Sequence, residues 1–325
     1  MSLSTLTHVR TSSAFIVCVL VAACTRLPAA LYADPPRDRE HPAGYLPFAL
    51  PTHGVNINAV LYFAAGDGPH PTVILLHGIP GDEQNLDLAR AAQRAGWNVL
   101  TLHYRGSWGS PGQFSFAHCL EDAAAALEWL RDPRALMASH IDRAKIVVVG
   151  HGMGGFVAAY IAGHDRDLAG AAAISAASYL GVPGAGVTQA QATEVWETAI
   201  KNRTGMHTVG DATADGLAEE STSYVAAWDL RQFAPVLARH PFLVISSEDG
   251  NAASNELLAA AVAAEPNADV TRIHFITDHG YNDQRVALAA ALLDWLAAVA
   301  RYGGTERGSN LGSDRRCRYG TLCAR

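Results

Sequence analysis

One stretch constrains the fold of this chain more than any other: Ile146-Val147-Val148-Val149-Gly150-His151-Gly152-Met153-Gly154-Gly155. A run of β-branched residues favours a strand buried on both faces. The glycines that follow can enter a turn too sharp for most side chains. Phe156, Val157, Ala158 and Ala159 continue as small and apolar residues, which read as a helix. A buried strand feeding directly into a helix is the unit of a parallel sheet, because parallel neighbours need a crossover.

The rest of the chain repeats the alternation. Strand-like runs fall at Val55–Phe63, Pro71–Leu76, Trp97–His103, Lys145–Val149, Leu168–Ile174, Pro241–Ser246 and Val270–Ile276. Helical spacing falls between them, over Asn85–Ala95, along Leu120, Ala124, Leu127 and Leu130, and over Gly154–Ala162. Leu288, Leu292, Trp295, Leu296 and Val299 mark one face of a closing helix. The prediction is an α/β protein with a mostly parallel central sheet flanked by helices. Its core comprises residues 43–175 and 239–302. Residues 176–238 break the pattern between two strands and predict an inserted helical cap, since so long a structureless loop is unusual in a compact domain.

The two ends read differently. His8 and Arg10 precede an apolar run from Ala14 to Ala23, too short for a mature membrane span and suited to a secretory signal. Residues 1–33 are therefore expected to be a signal and linker, with a periplasmic, lipid-anchored or secreted product. Val21-Ala22-Ala23-Cys24 resembles a bacterial lipobox, with Cys24 as the lipidated residue; the alternative is cleavage near Ala33. Residues 303–325 read as a disordered tail. Its arginines (Arg315, Arg316, Arg318, Arg325) form a short solvated basic end. With a formal charge of −7 and no basic stripe in the body, the 325-residue chain is not expected to bind nucleic acid. Of five cysteines, Cys18 and Cys24 lie in the leader, Cys119 reads as a buried small hydrophobe, and Cys317 and Cys323 could pair in the tail.

Three glycine-rich segments each follow a strand: His77-Gly78-Ile79-Pro80-Gly81, Tyr104-Arg105-Gly106-Ser107-Trp108-Gly109-Ser110-Pro111-Gly112, and Gly150-His151-Gly152-Met153-Gly154-Gly155. In that chain order they resemble the bacterial serine hydrolases of the α/β-hydrolase superfamily, from about Val55 to Tyr302 outside the cap. The resemblance implies a nucleophile elbow of the form G-x-S-x-G, followed by an acid and then a histidine. It places the acid at Asp249, with Glu248 second, and the base at His279. It places the oxyanion-hole donors on the backbone N–H groups of Ile79 and Met153. His151 precedes the elbow position, where the resemblance implies a packing and hydrogen-bonding residue. His274 is expected to face the sheet or solvent.

The chain departs from the family at the decisive position, where Gly152 stands in place of serine. Glycine has no Oγ, so no acyl-enzyme can form there. Three readings stay open. The chain is an ester or amide hydrolase with a degenerate nucleophile; or it is an inactive pseudoenzyme that binds a small acyl or ester-like ligand; or it is a hydrolase or lyase that uses water through the His279–Asp249 pair. Ser107, Ser110, Ser175 and Ser178 border the same loops, yet none sits on an elbow, and turn or cap hydroxyls describe them better. Trp108 and Phe114 fit a pocket wall and ordinary loop packing equally. His103, His118 and His207 lack metal-ligand spacing, so neither metal nor cofactor is expected.

Overall fold

The computed structural model describes residues 27–302 other than 136, 138–139, 178–187, 203–205 and 207. The leader with Cys18 and Cys24, Ser178, His207, and the tail with Cys317 and Cys323 lie outside the described residues.

Among the described residues eight strands form one sheet: β1 (Gly44–Thr52), β2 (Val55–Phe63), β3 (His70–Leu76), β4 (Asn98–Leu102), β5 (Ile141–His151), β6 (Gly170–Ile174), β7 (Pro241–Ser247) and β8 (Asp269–Phe275). Their spatial order is β1-β2-β4-β3-β5-β6-β7-β8. The pairings from β4 through β8 are parallel, while β1–β2 and β2–β4 are antiparallel. β4 and β6 are buried along their whole length, as strands covered on both faces must be.

β1 is the strand that the apolar pattern does not reveal. It alternates exposed residues with half-buried and, at Leu50 and Thr52, buried ones, and it carries Pro47 and Pro51, which an edge strand tolerates because one side of its backbone needs no donor. It joins β2 through His53 and Gly54, both at positive φ, a turn whose twist suits a two-residue hairpin.

Among the described residues eight α-helices complete the fold: α1 (Leu86–Arg94), α2 (Phe116–Arg131), α3 (Met153–His164), α4 (Gln189–Asn202), α5 (Ala214–Ser223), α6 (Ala234–Leu237), α7 (Ala252–Ala263) and α8 (Arg285–Tyr302). One core lies under α2, α3 and α7 and includes Leu61, Ile74, Phe116, Leu127, Val148 and Phe156. The other lies under α1 and α8 and includes Val73, Leu88, Val147, Ile245, Leu292 and Trp295. The alternating burial of Val147 and Val148 between them shows why β5 must be apolar on both sides.

The segment expected to be a cap carries α4, α5, a 3-10 turn at Leu230–Phe233 and α6. It is fastened to the loop after β4 and to the start of α2. Ser107 and Val209 form an antiparallel bridge, and Trp108 N–H donates to Thr208 O at 2.9 Å. The Glu220 carboxylate accepts from Phe116 N at 2.8 Å and Ala117 N at 3.1 Å, satisfying donors that the first turn of α2 would leave orphaned. Trp196 rests its ring 5.4 Å from that of Phe116.

At the N-terminal side, Ala29–Leu31 form a 3-10 turn, and Ala30 and Leu31 pack against the α1/α8 core. Among the described residues no helix is long and apolar enough to cross a membrane. Cys119 is fully buried as a free thiol, and burial pushes its pKa well up.

Candidate active site

The elbow forms where β5 runs straight into α3. Gly152 lies between them at φ +59° and ψ −121°, a conformation that strains any residue with a Cβ. Its surroundings hold it there. Gly152 N donates to Ile174 O at 2.9 Å, and Gly152 O accepts from Gly155 N, Phe156 N and Ala177 N. The flanking glycines permit the tight approach: a Cβ on Gly150 would stand 1.9 Å from Gly154 O, and one on Gly154 would stand 2.2 Å from Leu76 O. The sharp turn is therefore a property of the whole crossing and persists without a serine at its apex.

Two other strand ends bring in the candidate acid and the candidate base. Asp249 follows β7 and His279 follows β8. His279 Nδ1 lies 2.6 Å from Asp249 Oδ2. The imidazole is 49% exposed and the carboxylate side chain 3% exposed. Burial pushes the Asp249 pKa up, but hydrogen bonds from His279, Asn251 and Ser175 outweigh it and hold the carboxyl below its ordinary value. An ionised Asp249 keeps the proton of His279 on Nδ1, which leaves the Nε2 lone pair free to face the elbow. A Cβ built on Gly152 would lie 3.1 Å from His279 Nε2 and 3.4 Å from Cε1. The structure thus brings Gly152, Asp249 and His279 together.

The neighbouring acids take other partners. Glu248 is exposed and lies 3.5 Å from His274 Nε2, and His274 also meets Ser246 Oγ at 2.9 Å on the solvent side. Asp278 accepts from Asn282 N and Nδ2. His151 lies beneath His279. Its ring stacks on that of His279 at 4.5 Å, and its Nε2–H donates to His279 O at 2.8 Å. Burial lowers its pKa to about 4, with repulsion from His279 adding to the effect, so it is a neutral prop.

The HGxxG turn packs against the elbow. A Cβ on Gly78 would lie 3.3 Å from His151 O and 3.8 Å from Met153 N. Met153 opens α3, where backbone N–H groups have no intrahelical acceptor, and Ile79 follows Gly78 on the facing turn. His77 braces that turn through Nδ1–H to Gly78 O at 2.6 Å, and burial lowers its pKa to about 4. Trp108 braces it from the other side, with Nε1–H donating to Pro80 O at 3.0 Å while its ring stacks on His103.

Among the described alternative serines, Ser110 and Ser175 are structural hydroxyls, whereas the Ser107 Oγ is buried with no hydrogen-bond partner. Ser107 is fully buried. Ser110 Oγ donates to His103 O at 2.8 Å and accepts from Asn58 N at 2.9 Å. Ser175 is fully buried and meets Ser247 Oγ at 2.9 Å and Tyr281 OH at 2.8 Å. Residue patterns did not reveal this network behind Asp249. Ser175 and Tyr281 both sit at positive φ, and neither residue type announces such a backbone. Phe114 is buried against Phe116, which is packing, whereas Trp108 stays 38% exposed beside the HGxxG turn. His118 Nδ1–H donates to Gln113 O. Among the described residues no group of three or more His, Cys, Asp or Glu could hold a metal ion.

A family model described as "alpha/beta hydrolase fold" matches residues 71–197. Two uncharacterized proteins from strains of Mycobacterium tuberculosis are each 33% identical over 110 residues. That match covers 34% of this chain and 37% of each relative, so it spans little more than a third of their length. Among solved structures, an esterase from Pyrobaculum calidifontis superposes with a TM-score of 0.61 at 20% identity, covering 80% of this chain and 87% of that one. A thermostable carboxylesterase cloned from a metagenomic library gives a TM-score of 0.56 at 23% identity, covering 79% and 90%. Brefeldin A esterase, a bacterial homologue of human hormone sensitive lipase, gives 0.57 at 20% identity, covering 84% and 82%. The eight-stranded sheet, the turn between β5 and α3, the family model and these neighbours give the chain the α/β-hydrolase fold, with esterases among the solved structures that share it.

Proposed function

We propose that the protein binds small ester-like molecules in a carboxylic ester hydrolase site whose nucleophile position is degenerate. The observation that carries this reading is the geometry at Gly152. The elbow keeps φ +59° and ψ −121°, His279 Nε2 lies 3.1 Å from the point where a side chain would begin, and Asp249 orients that histidine at 2.6 Å. An ester carbonyl at the start of α3 would find the backbone N–H groups of Met153 and Ile79 as oxyanion donors, but no hydroxyl to attack it. The absence of a serine limits turnover to what binding and the oxyanion site supply, about 10³–10⁴-fold over water in a triad enzyme stripped of one member.

The test is a panel of p-nitrophenyl esters together with NMR of the His279 ring during titration with a short-chain methyl ketone. Saturable ring shifts with near-background turnover support the reading. Turnover at full hydrolase rates, or no ring shift at any concentration, would refute it. A second reading, general-base activation of water, is favoured by the lone pair on His279 Nε2. It requires that His279→Ala abolish the weak activity.

Export and a lipid anchor at Cys24 belong to the same proposal. Ala30 O accepts from Arg94 Nε at 2.6 Å, and Ala30 and Leu31 pack on the body. Cleavage near Ala33 would strip these contacts, whereas cleavage ahead of Cys24 retains them. Labelling of the full chain with palmitate, lost in Cys24→Ser, is the expected outcome; labelling unchanged by that substitution refutes the anchor.

A further inference from the structure

We propose that His279 is itself the acyl acceptor: its Nε2 attacks the carbonyl carbon of an aryl ester held at the elbow and becomes acylated. The inference rests on the reading that the crevice takes ester-like ligands, and it names the substrate class. Three observations converge on it. The ring of His279 crowds the elbow, 3.1 Å from the point where a Cβ would project, closer than a side chain ordinarily tolerates. The imidazole, not a hydroxyl, is thus the group that meets a carbonyl brought to the start of α3. The ring is half exposed, and its Nδ1–H is committed to Asp249, so the lone pair is on the nitrogen facing the elbow.

The third observation concerns competing nucleophiles among the described residues. Ser107, Ser175 and Ser247 are fully buried, and Ser110 is nearly so. Thr277 is spent on Asp283, and Ser246 faces His274. Cys119 is fully buried in the core under α2. His151 is neutral and lies under the His279 ring, so no fixed positive charge there draws electron density from Nε2.

The step balances without a co-reactant beyond water. The Nε2 lone pair forms a bond to the carbonyl carbon. The carbon–oxygen bond to the leaving group breaks, and its electron pair departs with the oxygen as a phenolate. The acyl-imidazolium keeps its Nδ1 proton and is stabilised by the Asp249 carboxylate. Water then adds to the carbonyl and gives one of its protons to the phenolate released in the first step or to bulk water, the carbon–nitrogen bond breaks, and its pair returns to Nε2 as the carboxylic acid leaves with the other proton.

This sequence dictates specificity. While acylated, His279 has no proton on Nε2 to give to a departing alkoxide. Only esters whose leaving group departs as a stable anion, such as phenyl esters, are turned over. Had His279 worked as a general base on water, its new Nε2 proton would assist an alkoxide, and alkyl esters would react as well.

The experiment uses the full chain with p-nitrophenyl acetate, acid quench, intact mass and peptide mapping. One acetyl group is expected on the peptide containing His279, removed by hydroxylamine and absent from His279→Gln. Phenyl acetate is expected to turn over and ethyl acetate not to. Gly152→Ala, checked for folding by circular dichroism, places a methyl against the ring and is expected to slow acylation by about tenfold or more. Turnover without an adduct, with a solvent isotope effect and with ethyl acetate also cleaved, overturns His279 as acceptor but leaves ester binding intact. Failure of the methyl ketone to shift the His279 ring overturns the binding reading itself, and the acyl-acceptor proposal with it.

Discussion

Replacing Gly152 by serine tests the site most directly, because the structure sets both its cost and its gain. The cost is conformational. Serine at φ +59° is strained by roughly 1–3 kcal/mol, a penalty glycine largely escapes. Its Cβ would also stand 3.1 Å from His279 Nε2, so the ring must withdraw by a few tenths of an ångström. That ring is half exposed and hinged on a loop, so the withdrawal adds little. For a chain of this size, 1–3 kcal/mol corresponds to a melting temperature lower by roughly 2–5 °C. The gain is catalytic. Restoring a hydroxyl within reach of Nε2 completes Ser–His–Asp, and loss of a triad serine costs up to about 10⁶ in kcat.

The expected outcome is therefore a less stable protein that hydrolyses p-nitrophenyl acetate with a burst, at least about 10²-fold faster than the parent, and labels covalently with a fluorophosphonate. The paired measurements are differential scanning fluorimetry and stopped-flow absorbance. A folded, destabilised variant that neither labels nor turns over would refute the claim that the elbow, His279 and Asp249 form an ester hydrolase site lacking one atom group. An unchanged melting temperature would refute the claim that the elbow imposes strain.

Three further outcomes follow from named contacts. In the Gly152→Ser background, Asp249→Asn removes the acceptor at 2.6 Å from His279 Nδ1 and is expected to lower kcat by about 10³–10⁴, measured with the same ester; an unchanged rate would exclude Asp249 as the orienting acid. Acid should destabilise the fold through His77 and His151. Burial lowers both from 6.5 to about 4, so between those values the unfolded chain binds protons that the folded chain does not, and stability falls as the pH falls. Each histidine contributes roughly 3 kcal/mol across that window, readable as a falling urea midpoint between about pH 7 and pH 4.5, and a flat midpoint would contradict it. Glu220→Ala removes the acceptor for Phe116 N and Ala117 N and is expected to cost about 1–2 kcal/mol. Limited proteolysis should then cut the α4–α5 insert sooner than in the parent; identical digestion would show that Glu220 does not fasten it.

Much of this protein was legible in its residues. Val147 and Val148 point into opposite cores, so β5 had to be apolar throughout, and that continuity announced a parallel sheet. Glycines around the elbow mark places where a Cβ would collide with backbone, so their spacing exposed the turn. Asp249 and His279 could be named from the family resemblance, which expects an acid and then a histidine after successive strands, and both residues follow strands in that chain order. Other features were not legible, because they depend on what lies nearby in space. β1 hides its strand character behind two prolines that only an edge position makes tolerable. The resemblance already ranked Asp249 ahead of Glu248, but the contacts that separate them are spatial: Asp249 meets His279, and Glu248 meets His274. Ser175, Ser247 and Tyr281 are 34 to 106 residues apart in sequence, as far as the Ser247–Tyr281 and Ser175–Tyr281 separations go, and meet only once β6 and β7 are paired. The sequence alone determined that Gly152 carries no hydroxyl. Tertiary structure alone decided that the backbone keeps the strained elbow regardless, because the hydrogen bonds to Ile174 and Ala177 hold the turn from strand β6 and the segment after it, independently of the side chain at its apex.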